Sequence, residues 1–456
     1  MSVPMMSLVL ILAIILLFVL VLKVKLQAFL ALLIVSMGVG LAMGMPAEKV
    51  FESMQNGMGS TLGFVATIIG LGAIFGQILE SSGGAHSLAH HLIRYFGKER
   101  AQWAMVIAGF LIAIPVFFDV GFIILVPLVY ALSRDTGKPN LFFASPLLAG
   151  LCVTHAFVPP TPGPVAVSQI LNAEIGWVIL LGVIAGIPTA VLAGPVFGRY
   201  ISRKLKVENS NLPEPSEPPV DSARGGVAFR LVINILMLPI VLIVVQAIVK
   251  WLVESGHLAR GPVVSILLFV GHPFAALTMA TLAALYFLGI RRGKTGAALL
   301  EISTRSLAPA GIIILITGAG GVFKQVLVDS GVGVTLADAV SGSGIPILLL
   351  AYIVAVIIRI SQGSATVAMI TAAGIVGPMV DHAQLQEMDR ALVVLAVAAG
   401  STILSHVNDS GFWLVGRYLG LSEKQTLYSW TCMTAILSVT GFLTILIMDF
   451  VLKLWI

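Results

Sequence analysis

The sequence has little charge and almost no cysteine. Asp, Glu, Lys and Arg make up only 10% of its 456 residues, whereas they form about a quarter of a typical soluble chain. Hydrophobic residues make up 58%, which is more apolar surface than a soluble fold can bury. The two cysteines, Cys152 and Cys432, both lie in apolar stretches, so we expect neither a disulfide framework nor a cysteine-based metal site.

Motifs for nucleotide binding and catalysis are also missing. The chain has no P-loop lysine motif, no nucleophile elbow around its Ser and His residues, and no zinc-ligand spacing. His86, His90 and His91 lie in a basic segment, where a solvated face explains them better than a metal site. We therefore expect no enzymatic reaction, no cofactor and no metal, and an ion gradient rather than ATP as the energy source.

Apolar segments of about 20 residues, the length that crosses a bilayer core of about 30 Å, recur along the chain. They predict an all-α polytopic membrane protein. Residues 3–22 have no Lys or Arg before them and no small-residue cleavage pattern after them, so they favour a membrane anchor over a signal peptide. The predicted segments are 3–22, 26–45, 61–79, 103–132, 141–158, 177–197, 229–252, 263–288, 307–328, 345–358, 364–380, 391–404 and 427–452.

The one polar stretch, at 207–226, combines four prolines with Glu, Asn and Ser. It predicts a cytoplasmic linker between two membrane halves, 1–206 and 227–456. The excess of 26 basic over 21 acidic residues fits cytoplasmic loops better than nucleic-acid binding. An amino terminus outside the cell places all four basic clusters inside; they occupy residues 23–25, 94–100, 199–206 and 291–294.

The chain repeats itself. Residues 70–89, GLGAIFGQILESSGGAHSLA, match residues 318–337, GAGGVFKQVLVDSGVGVTLA, at an offset of 248 positions, the difference between 318 and 70. The predicted topology runs the two copies in opposite directions across the membrane. This indicates two inverted-topology repeats, an arrangement typical of secondary transporters. The matched pairs include Gly72 with Gly320, Phe75 with Phe323, Gln77 with Gln325, Ser82 with Ser330, Gly83 with Gly331 and Leu88 with Leu336.

Each half also contains an apolar span that is broken by polar and helix-breaking residues. The breaks are THAFVPPTPGP at 154–164 and SHVNDSGFW at 405–413, and His155 and His406 align at nearly the repeat offset. Prolines remove backbone donors, and the freed carbonyls must line protein or a water-filled cavity. Paired broken helices therefore predict a substrate site near the middle of the membrane.

The segment RISQGSATVA, residues 359–368, predicts a helix amino terminus at that site. Such an end attracts a carboxylate through free N–H groups and the helix dipole, and Arg359 adds positive charge. The alternative is that the small residues only allow close helix packing. The predicted substrate-binding residues are Thr154, His155, Thr161, Arg359, Gln362, Gly363, Ser364, Thr366, Ser405, His406, Asn408 and Ser410.

Ionisable residues inside apolar spans indicate function. Asp119, in PVFFDVGFIILVP, is predicted to couple proton movement to transport, with a structural ion pair as the alternative. Asp409 is the second predicted coupling residue, and it can instead cap a half-helix. His155 and His406 can carry protons or simply bond to neighbouring backbone.

Taken together, these residues resemble the gluconate permease family, bacterial proton symporters for gluconate and related sugar acids in the wider ion-transporter superfamily. The resemblance implies import of an aldonate with a proton across the bacterial inner membrane. It also implies a transport core of re-entrant hairpins and broken helices that moves like an elevator. The matching motifs are GMP at 44–46, GSTLGF at 59–64, VTHAFVPPTPGP at 153–164, GAGGVFKQVLVDSGVG at 318–333, QGSATVA at 362–368 and SHVNDSGFW at 405–413.

Two departures keep the substrate open. Many gluconate carriers of the family have Glu at the position of Asp119 and a His-Pro step in place of Thr161-Pro162, and the FFDVGF form occurs in relatives assigned to shorter acid sugars. Shorter aldonates and other small hydroxy or amino acids are therefore alternatives. A passive anion channel and an intramembrane enzyme are the alternatives from other classes. The expected partners are a small carboxylate substrate, protons and the lipid bilayer, with a homo-oligomer left open and no nucleic acid.

Overall fold

Helices are the only regular secondary structure in the described chain, which in this computed structural model comprises residues 3–205, 227–331, 345–407 and 409–455. The predicted linker at 207–226, the repeat residue Leu336 and the predicted site residue Asn408 lie outside the described residues. In the first half the α-helices are α1 (Val3–Phe18), α2 (Ala28–Ala42), α3 (Ala47–Ser81), α4 (Gly84–Phe96), α5 (Ala101–Ile112), α6 (Phe118–Thr136), α7 (Asn140–Phe157), α8 (Pro162–Ile170), α9 (Ile175–Val191) and α10 (Phe197–Lys204).

The second half contains the remaining helices. They are α11 (Phe229–Glu254), α12 (Pro262–Gly271), α13 (Pro273–Ala284), α14 (Gly296–Asp329), α15 (Ile347–Gln362), α16 (Ala365–His382), α17 (Glu387–Ser401), α18 (Ser410–Tyr418), α19 (Glu423–Thr426) and α20 (Cys432–Trp455). Short π-helical segments occur at Val19–Lys23, Leu192–Val196, Leu285–Gly289 and Leu427–Thr431.

Eight helical stretches in the described ranges are long and apolar enough to cross a membrane. They include α3 and α14, of 35 and 34 residues, each about 50 Å long at 1.5 Å per residue. The prediction of an all-α polytopic membrane protein is confirmed.

The prediction of a single span at 103–132 is wrong. The chain leaves the helical conformation between Ile112 and Phe118, where Pro115 can neither donate an N–H nor continue the turn. Lys98, just before α5, pairs with Asp135 near the end of α6, with 2.9 Å between Nζ and Oδ2. The two helices therefore leave and return at the same end of the molecule, as a hairpin.

The predicted span at 263–288 is also divided. α12 ends at Gly271 and α13 begins at Pro273, so that His272 separates them. Its ring Nδ1 accepts a hydrogen bond from the N–H of Phe274 at 3.3 Å, and proline is favoured as the first residue of a helix. A capping side chain followed by proline starts a new helix within an uninterrupted apolar run.

The two long helices α3 and α14, which carry the repeated sequence, pack directly against each other. A Cβ at Gly57 would lie 2.6 Å from the carbonyl oxygen of Gly321, and a Cβ at Gly321 would lie 2.7 Å from that of Gly57. Only glycine allows this backbone contact, as at other close helix crossings in membranes. At the end of α14, the Ser53 hydroxyl donates to Asp329 at 2.6 Å.

Helix order and spacing recur between the halves. α6, α7 and α8 begin at residues 118, 140 and 162, and α16, α17 and α18 begin at residues 365, 387 and 410. In both sets, the second and third helices flank the break predicted around His155 or His406. The inverted orientation of the two sets stays a prediction.

We expect Gly57→Ala to lower the thermal unfolding midpoint of the detergent-solubilised protein. The added methyl group has no space between α3 and α14, and such overpacking costs about 1–3 kcal/mol. Gly59→Ala, two residues along the same helix, is the control. Nothing lies within 4 Å of a Cβ at Gly59, and alanine has the better helix propensity. Equal unfolding midpoints for the two variants would show that the α3–α14 contact is not close.

Candidate functional site

A cavity of about 590 Å³ lies between the two halves. Three helices begin at it, since its lining includes the first residues of α6, α16 and α18. Each of these ends has backbone N–H groups without intrahelical partners and carries positive dipole charge. The C-terminal parts of α7 and α15 complete the wall together with α3 and α14. The cavity therefore presents several helix amino termini to whatever enters it.

Arg359 and Asp409 form an ion pair beside the cavity. The side chains are 3% and 14% exposed, and Arg359 Nη2 donates to Asp409 Oδ2. Arg359 Nη1 also donates to the carbonyl of Gly363. Asp409 Oδ1 accepts from the N–H of Gly411 at 3.1 Å and so caps α18. The pair joins the end of α15 to the start of α18.

The second break is held by a network around Ser405. This hydroxyl donates to Asp409 Oδ2 and accepts from Trp430 Nε1 at 2.6 Å. The N–H of Ser405 donates to Thr434 Oγ1 at 3.1 Å, and His406 Nε2 lies 3.1 Å from the carbonyl oxygen of Ile360. Buried polar groups need such partners, so these contacts fix the broken backbone.

Asp119 differs from Asp409. It lies in the first turn of α6 and is exposed to the cavity, and no hydrogen bond or ion pair to another described residue involves its carboxylate. Asp119 and Asp409 are near enough to interact electrostatically. One of the two predicted coupling carboxylates is therefore committed to a structural network, and the other is available.

The opposite end of the molecule is tied by ion pairs between helices. Lys324 of α14 donates to Asp381 at 2.8 Å and to the carbonyl of Ile170 at 2.5 Å. Arg390 of α17 donates to Asp381 and to the carbonyl of Leu171, both at 3.0 Å. The cavity instead extends along α3 to Glu80, one residue before that helix ends. The cavity lies toward one end, and charged contacts join the helices at the other.

Comparison with known proteins identifies the family. The family model described as GntP family permease matches residues 5–451. The chain belongs to the GntP family of permeases. The gluconate permease of Pseudomonas aeruginosa is 43% identical over 420 residues, covering 90% of each chain. The low-affinity gluconate transporter of Escherichia coli K12 is 40% identical over 88% of each chain, and its Gnt-II system L-idonate transporter is 40% identical over 90% and 91%.

The resemblance stated from the motifs is thus confirmed, and this GntP permease is a multi-pass protein of the bacterial inner membrane. Solved transporter structures share its fold. The Alcanivorax borkumensis YdaH transporter has a TM-score of 0.66 at 13% identity, covering 92% of this chain and 98% of that one. Neisseria gonorrhoeae MtrF has a TM-score of 0.59 at 14% identity, covering 88% and 84%.

Most of the predicted site residues of this GntP permease meet at the cavity. The predicted residues that line it are Asp119, His155, Arg359, Gln362, Gly363, Ser364, Thr366, Asp409 and Ser410. Four predicted residues, Thr154, Thr161, Ser405 and His406, do not line it. Thr154 is buried and donates to the carbonyl of Phe110 at 2.8 Å.

Thr161 instead lines a much smaller adjoining cavity of about 10 Å³, which is space for about one water molecule. His155 lines both cavities, and its Nδ1 is buried without a hydrogen-bond partner among the described residues. The first break therefore reaches the main cavity through His155, whereas the second reaches it through Asp409 and Ser410.

Sequence reasoning missed the contributions of α3 and of the last helices. Gln77 and Glu80 line the cavity and bond to each other, with 3.0 Å between Nε2 and Oε2. Trp430 also lines it and packs on Phe118, with ring centroids 5.4 Å apart. Glu80 lies one residue beyond the predicted apolar segment 61–79, so the signal that identified Asp119, an acid inside an apolar span, did not include it.

We expect Asp409→Asn to lower the unfolding midpoint of the substrate-free permease markedly. Asparagine can still cap α18, but Arg359 loses its counter-charge, and removing one partner of a buried pair costs about 3–5 kcal/mol. The double variant Arg359→Gln/Asp409→Asn should recover part of the loss, because neither charge remains. Strictly additive effects in this double-mutant cycle would contradict the ion pair.

Proposed function

We propose that this GntP permease is a secondary active transporter that imports gluconate or a related sugar acid together with protons. Its relatives named for gluconate and L-idonate, at 40–43% identity over about nine-tenths of the chain, support the substrate class. The observation that carries the proposal is a cavity whose described lining combines helix amino termini, Arg359 and the carboxylate of Asp119, which has no hydrogen-bond or ion-pair partner among the described residues.

A sugar acid needs both an anion site and hydroxyl partners. The amino termini of α6, α16 and α18 attract a carboxylate, and Arg359 lies beside two of them. Gln362 also lines the cavity, and neither polar atom of its amide has a partner among the described residues. Both atoms are buried, so a polyol hydroxyl would bond to that amide after the side chain turns toward the cavity. A volume of about 590 Å³ admits a six-carbon acid and also the shorter aldonates.

The charges of the cavity suggest why a proton accompanies the anion. Among the described residues, Glu80, Asp119 and Asp409 line it, and Arg359 is the one Lys or Arg in that lining. A bound carboxylate adds one more negative charge, and the repulsion falls when a carboxyl group is protonated. Substrate and proton therefore strengthen each other's binding, which is a reciprocal coupling. Asp119, exposed and unpaired in the described chain, is the proposed proton carrier.

An anion channel is the competing function. A channel needs a path through both ends, whereas here the ion pairs of Lys324 and Arg390 with Asp381 join helices at the end away from the cavity. A closed end opposite a cavity supports alternating access, in which the two ends open in turn. The inverted repeats predicted from the sequence support the same mechanism.

Uptake into proteoliposomes tests the function and the role of Asp119. The wild type should accumulate gluconate or a shorter aldonate against its gradient when an inward proton gradient is imposed. Asp119→Asn mimics the protonated carboxyl permanently, so it should abolish proton-driven accumulation and largely retain exchange between equal internal and external pools. Accumulation by the variant at the wild-type level would exclude Asp119 as the required proton carrier.

Matched controls separate the possible failures. Asp449→Asn removes a carboxylate that pairs with Lys453 one turn away, outside the cavity, and should leave both accumulation and exchange intact. Competition by gluconate, shorter aldonates, hexuronates and D-serine then identifies the preferred acid. A wild type that only equilibrates substrate, whatever the proton gradient, would establish a passive pore and overturn the transporter proposal.

We also expect Lys324→Gln to open the closed end. A single cysteine replacing Ser410, which lines the cavity, should react several times faster with an impermeant thiol reagent applied from the end where α16 terminates. The background should carry Cys152→Ser and Cys432→Ser, because Cys152 lines the same cavity and the Cys432 thiol is exposed. Lys453→Gln removes a lysine from a pair within one helix and should not change the rate. An unchanged rate in Lys324→Gln would contradict the closing role.

A further inference from the structure

A second, basic groove lies at the end of a continuous helical stretch. This stretch consists of α9, the π-helical segment Leu192–Val196 and α10. It has a volume of about 560 Å³ and is lined by Val196, Arg199, Tyr200, Arg203 and Lys204. Three of these five side chains are cations, and no carboxylate of the described chain lines the groove. All three lie in the basic cluster that the positive-inside pattern assigns to the cytoplasmic side.

Two of the cations are held in place. Arg199 Nε donates to Gln102 Oε1 at 2.9 Å, and the Gln102 side chain is 1% exposed and donates to the carbonyl of Phe142 at 2.8 Å. The two terminal nitrogens of Arg199, Nη1 and Nη2, have no hydrogen-bond or ion-pair partner among the described residues. Lys204 Nζ lies 3.2 Å from the Tyr200 hydroxyl and 5.6 Å from the centre of its ring. A guanidinium fixed through Nε presents its outer N–H groups in one direction.

An apolar strip leads along the same stretch to this groove. Ile184, Ile187, Leu192 and Val196 are 47%, 57%, 43% and 51% exposed. Residues three or four apart on a helix lie on one face, and the half-buried Pro188 and Val191 fill the five-residue step between Ile187 and Leu192. The stretch from Ile175 to Lys204 is apolar enough to span the membrane, so this strip faces lipid chains. Tyr200, 57% exposed, lies where the apolar strip meets the cations, as interfacial aromatics do.

We propose that the groove binds one anionic phospholipid of the inner leaflet, with its phosphate between Arg199 and Arg203 and an acyl chain along the apolar strip. Guanidinium groups match phosphate oxygens in geometry and charge. Basic pockets at the cytoplasmic ends of membrane helices are suited to such headgroups. A free phosphate shares the headgroup chemistry but would make no use of the exposed isoleucine and valine side chains next to it.

Binding can be measured without transport. The purified full-length permease is delipidated in detergent and titrated with phosphatidylglycerol or phosphatidylcholine, and bound lipid is counted by native mass spectrometry. We expect one phosphatidylglycerol at wild type and at least about tenfold weaker binding in Arg203→Gln/Lys204→Gln, since each cation contributes to lipid attraction. Ile187→Gln should weaken phosphatidylglycerol binding as well, because it interrupts the strip.

The control removes the same number of charges elsewhere on the same predicted side. Arg94→Gln/Arg100→Gln changes two exposed cations outside the groove and should leave phosphatidylglycerol binding at the wild-type level. Equal loss in this control would show that net charge alone attracts the lipid, and it would overturn a specific site. Equal binding of phosphatidylcholine would overturn it too.

Two other possible occupants of the groove, a free anion and a segment of this chain, would give different results in the lipid-binding measurement. Inorganic phosphate that displaces phosphatidylglycerol from wild type, together with full lipid binding by Ile187→Gln, would make the groove a free-anion site. The acidic residues Glu208, Glu214 and Glu217 follow closely in the chain. If replacing all three with Gln raises lipid binding about tenfold, the groove is occupied by this chain's own segment. Either result overturns the lipid proposal.

Discussion

The ion pair between Arg359 and Asp409 is the interaction on which the site depends. A buried charge is tolerated only when it is paired and hydrogen-bonded, and this pair meets both conditions at the place where two helices end. Asp409 caps α18, and Arg359 bonds to the carbonyl of Gly363 just before α16. The charges therefore hold the ends of α15 and α18 beside each other, and the amino terminus of α16 opens into the cavity between them.

Other contacts hold the two halves close together without filling the space between them, and this space is the cavity. α3 and α14 meet backbone to backbone at Gly57 and Gly321, while the carbonyl of Pro115 at the hairpin tip lies against Gly76, where a Cβ would be 1.9 Å away. Glycines at these crossings leave helix ends, rather than bulky side chains, at the centre. The same helix ends that cannot face lipid carry the free N–H groups on which the proposed carboxylate site rests.

Much of this arrangement could be predicted from residues alone. Helix breaks are local events, so the prolines around Thr161 and the Gly363-Ser364 step indicated the interrupted helices near the site. The break before Phe118 was missed, because a single proline in a long apolar run also fits a continuous kinked helix. Glu80 was missed because its exposure depends on what α3 packs against, which its neighbours in sequence do not reveal.

The sequence by itself determined the membrane class, the repeated order of helices, the two breaks and nine of the residues that line the cavity. These features follow from hydropathy, proline chemistry and repeated spacing, which act over a few neighbouring residues. Only the tertiary structure decided that Arg359 pairs with Asp409 rather than with Asp119, and that Thr161 lies in a separate small cavity. Such pairings join residues 50 or more positions apart, and the distance between two such side chains is set by helix packing, not by the local sequence.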